Sequence, residues 1–101
     1  MTFCFDLDGT LCATRGMDYE GAVPFAHRIA QVNTLFDAGN RIIIDTARGS
    51  GTGEDWSLRT RRQLRGWNVK YHELHVGTKT IADIYVDDRA VDAGAFFRDV
   101  N

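Results

Sequence analysis

Two cysteines in 101 residues are too few for a disulfide framework or a zinc site. Cys4 lies inside an apolar run and reads as a buried small hydrophobe. Cys12 has no basic residue immediately beside it to lower its pKa and reads as inert. Charge of one sign is also missing: 12 Lys and Arg against 14 Asp and Glu leave a formal charge of −2, so nothing draws the chain globally to a polyanion. The nearest thing to a basic patch, Arg59, Arg61, Arg62 and Arg65, is spread around more than one face of an expected helix and reads as solvated surface. No uninterrupted apolar segment is long enough to span a membrane, and the start lacks a basic region followed by a signal-like stretch. Repeats, low-complexity tracts and interdomain linkers are absent as well. The reading is therefore of a cytoplasmic protein without nucleic-acid or membrane partners.

What is present is the composition of one ordinary globular domain spanning 1–101, with 44% hydrophobic and 26% charged residues. A domain of this size buries a limited share of its chain, which leaves homo-oligomerisation open. Phe3 to Phe5, Ile42 to Ile44 and Ile84 to Val86 are short apolar runs bounded by polar residues or glycine, and they predict buried strands. Val69 to Tyr71 is a weaker fourth candidate. Val23, Ala26, Ile29, Ala30, Val32, Leu35 and Phe36 recur at helical intervals, with Pro24 near the start and Gly39 just past the end. Glu54 to Leu64 and Ala90 to Val100 predict two more helices. Strands alternating with helices imply a parallel α/β sheet with right-handed crossovers.

Each expected strand ends in reactive groups: Asp6 and Asp8 after the first, Thr46 after the second, Asp87 and Asp88 after the third. Ligands of open parallel sheets bind beyond the carboxyl ends of the strands, so these residues are expected to meet. Asp6 and Asp8 stand two apart, facing one way while Leu7 packs elsewhere. Four clustered carboxylates would repel one another without a bound cation, and magnesium suits their hard oxygens.

Asp6-Leu7-Asp8-Gly9-Thr10, then Ile43-Ile44-Asp45-Thr46-Ala47-Arg48-Gly49, then Lys79, then Tyr85-Val86-Asp87-Asp88-Arg89 resemble, in order, the four motifs of the haloacid dehalogenase superfamily of phosphatases. The resemblance runs along nearly the whole chain. It implies a minimal Rossmann-like three-layer sandwich with a parallel sheet. Neither interval between motifs holds enough chain for a cap domain, and Asp18 to Pro24 and Tyr71 to Gly77 resemble small capless phosphatases of capsule or surface-polysaccharide biosynthesis.

The resemblance further implies that Asp6 is the nucleophile and Asp8 the general acid and base. Thr46 and Lys79 would steady the transferred phosphoryl group, and Gly9, Thr10, Ala47 and Arg48 would contact substrate, the first two through main-chain amides. Magnesium would lie on a carboxylate oxygen of Asp6, the main-chain carbonyl of Asp8, and Asp87. Asp88 would assist through water or by pairing with the lysine. Gly77-Thr78-Lys79-Thr80 departs from the Gly-Lys-Pro usual around that lysine, so the local turn must differ. Arg48 has two open readings, substrate contact or pairing with Asp45 or another acid. The expected substrate is a small sugar-phosphate-like metabolite, and the segments Cys12 to Gly21 and Gly49 to Gly53 are candidates to cover the site. The alternative is a non-hydrolytic phospho-acceptor or a magnesium-binding regulatory module.

Overall fold

The computed structural model describes residues 1–98. In chain order its elements are β1 (Thr2–Asp6), β2 (Cys12–Ala13), β3 (Val23–Pro24), α1 (Ala26–Asp37), β4 (Arg41–Thr46), α2 (Ser57–Gly66), β5 (Glu73–Val76) and α3 (Ala93–Phe97). The α/β expectation holds: β1, β4 and β5 form a parallel sheet in that order, with helices in the crossovers. β2 and β3 make a separate antiparallel ribbon that returns the chain from the acidic motif to α1. None of the helices among the described residues is long and apolar enough to cross a membrane.

Register explains where the core sits. Phe3 lies opposite Ile42 and Phe5 opposite Ile44, so alternation puts all four on one sheet face. Ile29 and Val32 of α1, Leu64 of α2 and Phe97 of α3 join Phe5, Ile42 and Ile44 in one buried cluster that also holds Leu7, Leu11, Cys12 and Val69. Phe96 meets Phe3 and Phe5 edge-on, and Phe97 stacks on Phe5 with ring centres 5.7 Å apart. After α1, Gly39 takes φ 94°, and the Asn40 amide turns back to the Leu35 carbonyl at 3.2 Å, closing the helix end.

Several sequence expectations are corrected. The first helix begins at Ala26, not Val23, because Val23 and Pro24 pair with Ala13 and Cys12. The second begins at Ser57, where Asp55 Oδ1 accepts the Ser57 amide at 2.9 Å. Val69 to Tyr71 is not a strand: the Val69 amide closes the end of α2 on the Leu64 carbonyl, and the ladder starts at Glu73. Cys4 is exposed, since alternation turns it to the face opposite Phe3 and Phe5. The last helix covers Ala93–Phe97, and Val100 lies outside the described residues.

The largest departure concerns Ile84 to Val86, which form no strand and are exposed. The Tyr85 hydroxyl donates to the Thr80 carbonyl and accepts the Ala82 amide, and Asp87 Oδ1 accepts the Arg89 amide. These side-chain to main-chain bonds fold the segment upon itself in place of a ladder. Among the described residues β1 pairs only with β4.

Candidate active site

Asp6 is the last residue of β1 and Thr46 the last of β4, so both functional groups sit at the carboxyl edge of the sheet. Leu7 is fully buried, and anchoring it in the core leaves Asp6 and Asp8 to the site. The turn beyond depends on glycine: Gly9 has φ 85°, a region that side-chain-bearing residues avoid. Within it the Gly9 amide donates to the Cys12 carbonyl at 2.8 Å and the Thr10 amide to the Leu7 carbonyl at 3.1 Å. Both amides are spent on the turn, which corrects the expectation that they face a substrate. Thr10 acts through its hydroxyl, which donates to Asp6 Oδ2 at 3.0 Å.

Lys79 does reach the site. β5 ends opposite Thr46, Gly77 turns the chain at φ 80°, and Ser50 Oγ holds the Lys79 carbonyl at 3.3 Å. Lys79 Nζ then donates to Asp6 Oδ1 at 2.9 Å. Burial alone would lower its pKa, but the hydrogen bond and charge of Asp6 outweigh it and hold the ammonium above its ordinary value. The proposed nucleophile is thus flanked by a cation and a hydroxyl donor.

Arg48 pairs with Asp8, and the alternative of Asp45 is set aside. Its Nε lies 3.0 Å from Asp8 Oδ2 and its Nη2 2.8 Å from Oδ1. The residue is only 2% exposed. Nη1 donates to Gln63 Oε1 at 2.7 Å and to Thr60 Oγ1 at 3.3 Å, while the Tyr19 ring lies 4.9 Å from the guanidinium carbon. An arginine so enclosed leaves no face for a substrate, which corrects that assignment. Asp8 also accepts from Thr14 at 2.5 Å, and Thr46 Oγ1 approaches its Oδ2 at 3.5 Å. Burial pushes the Asp8 carboxyl up, but the bonds from Arg48 and Thr14 outweigh this and hold it below the usual carboxylate value. Cys12, beneath the same turn, is pushed up by burial to about 11 and fits the inert reading.

Thr14, Tyr19, Thr60 and Gln63 escaped the sequence reading. The helical spacing of Thr60, Gln63 and Leu64 was the available signal for two of them, because it puts them on the core-facing side of α2. Tyr19 also meets Trp56 edge-on at 5.0 Å, and Gln63 Nε2 donates to the Tyr19 carbonyl at 2.8 Å. The segment after Cys12 is thereby fastened to the start of α2. Ala47 is half-buried beside Thr46.

Asp87 and Asp88 lie on the exposed segment, and among the described residues they join no metal-holding group with Asp6 and Asp8. Asp87 is held below its ordinary pKa by the Arg89 amide and then by Asp88. Asp88 does not pair with Lys79, which is committed to Asp6. Hard oxygens at Asp6 and Asp8 suit magnesium in chemistry. Among the described residues no group of three or more His, Cys, Asp or Glu is placed to hold an ion, so water and substrate phosphate would have to complete the shell around these two carboxylates. The carboxylate repulsion that pointed to a cation is answered here by Lys79 and Arg48.

The chain matches no family model and no curated protein. It is similar to a protein from Vibrio cholerae of known crystal structure, with 30% sequence identity and a TM-score of 0.80, over 99% of this chain and 89% of the other.

Proposed function

This chain belongs to the same family as that Vibrio cholerae protein, and from its site we propose that it is a capless phosphomonoester hydrolase of the haloacid dehalogenase superfamily. The observation that carries the proposal is the convergence of Asp6, Asp8, Thr46 and Lys79 at one sheet edge, from three separate stretches of chain. A carboxylate oxygen of Asp6 attacks phosphorus, the bond to the ester oxygen breaks, and Asp8, which must carry a proton for this step against the pull of Arg48, gives it to that oxygen. Water then attacks the aspartyl-phosphate, Asp8 takes the water's proton, and inorganic phosphate leaves with Asp6 restored. Lys79 and Thr46 stabilise charge on the phosphoryl oxygens.

Magnesium is the proposed cofactor: oxygens of Asp6 and Asp8 would hold it, and it would supply neutralisation of phosphoryl charge. The proposed substrate is a small sugar-phosphate-like metabolite of surface-polysaccharide biosynthesis, handled in the cytoplasm. With no cap, the contacts of Tyr19 with Trp56, Gln63 and Arg48 hold the segment after Cys12 beside the site. The alternative, a phospho-acceptor that does not turn over, draws support from the grip of Arg48 on Asp8. Hydrolysis of an aryl phosphate with magnesium separates the two. Turnover lost in Asp6→Asn supports the phosphatase, stable phosphorylation without turnover supports the acceptor, and turnover unchanged in Asp6→Asn rejects both.

A further inference from the structure

Building on the phosphatase reading, we infer that Arg48 is a positioning residue that presents one particular oxygen of Asp8, Oδ2, to the water that hydrolyses the aspartyl-phosphate. The two Asp8 oxygens are not equivalent. Oδ1 accepts from Arg48 Nη2 at 2.8 Å and Thr14 Oγ1 at 2.5 Å, with Cys12 Sγ at 3.6 Å. Among the described residues Oδ2 accepts from Arg48 Nε at 3.0 Å and is otherwise met only by Thr46 Oγ1 at 3.5 Å. Oδ1 is saturated, while Oδ2 keeps capacity on the side of the catalytic threonine.

Two-point contact with a planar guanidinium fixes the plane of the carboxylate as well as its place, which a single ammonium cannot do. The guanidinium is itself immobilised by Gln63, Thr60 and the Tyr19 ring. Its amide also donates to Thr46 Oγ1 at 3.3 Å, so Thr46 to Arg48 orient both the threonine and the aspartate. Arg48 touches no reacting atom on this view and acts through Asp8.

An aryl leaving group departs without needing a proton, whereas water attack requires Asp8 for every substrate. Single-turnover rapid quench with p-nitrophenyl phosphate and magnesium therefore separates the halves: p-nitrophenolate release reports the first and inorganic phosphate release the second. Arg48→Lys keeps the charge and removes the fork. Its phosphate release is expected to fall about 100-fold while p-nitrophenolate release stays within about threefold of wild type, with phosphorylated protein accumulating by intact mass. Parallel loss of both, or loss of neither, overturns the inference.

If circular dichroism shows Arg48→Lys unfolded, Gln63→Met decides, because it removes the outer brace from a half-buried position. The same split, about tenfold in size, supports the inference, and parallel or absent loss overturns it. Failure of the phosphatase reading itself is seen separately, as phosphate release persisting in Asp6→Asn.

Discussion

The guanidinium of Arg48 closes on the carboxylate of Asp8 through two nitrogens, 3.0 and 2.8 Å from the two oxygens, although the residues stand 40 positions apart. The side chain of Arg48 is 1% exposed and that of Asp8 23%. Removing the anion strands a buried cation. Because Asp8 keeps some solvent contact, Asp8→Asn is expected to cost about 2–3 kcal/mol, somewhat less than breaking a fully buried pair. Urea denaturation checks this, and a cost below about 1 kcal/mol would mean that water has replaced the partner.

Acid should dissolve the same contact. Asp8 has a folded pKa below its ordinary 3.8, so its contribution is fully present above that value and is lost as pH falls through the lower folded one. Melting temperatures between about pH 2 and 5 should therefore fall more steeply for wild type than for Asp8→Asn. Lys79 has the opposite sign: its folded pKa is raised above 10.5, so its contribution is present below that value and is lost as pH climbs through the higher folded one. Equal acid slopes in wild type and Asp8→Asn would contradict the assignment.

Lys79 and Asp6 form a partly exposed pair at 2.9 Å, which limits its worth to the fold. Lys79→Met is expected to change stability by less than about 1 kcal/mol yet lower kcat about 100-fold, the usual effect of removing one charge-stabilising donor. A mutant that melts early but turns over normally would make the lysine structural.

Asp87 is exposed and bonded to its own segment, so the proposed magnesium rests on Asp6 and Asp8 without it. Removal of magnesium with EDTA is expected to abolish turnover, and re-addition to restore it. Asp87→Asn should leave the magnesium concentration for half-maximal activity within about twofold of wild type, since loss of a ligand or its support would raise it about tenfold or more. A rise of about tenfold would make Asp87 a ligand of the ion and contradict this placement.

The site was legible where its logic is local. Alternation after Phe5 separates Asp6 and Asp8 from Leu7, and the strand-end positions of Asp6 and Thr46 follow from the apolar runs before them. The partner of Arg48 was not legible, because a long arginine reaches several acids and only the placement of Thr60 and Gln63 on α2 selects Asp8. Ile84 to Val86 show the limit of an apolar run: three such residues do not say whether a sheet edge will pair with them, and the hydroxyl of Tyr85 bonds locally instead. β5 is not legible in the pattern, because an edge strand stays half-exposed and Glu73 and His75 carry polar side chains.

The most direct measurement is the mass of the protein quenched in acid during turnover of an aryl phosphate, followed by peptide mapping. A phosphoryl group on Asp6, absent from Asp6→Asn and lost on chase with water at neutral pH, is the predicted result. Steady release of inorganic phosphate from Asp6→Asn, or a phosphoryl group mapped to any other residue, would contradict it.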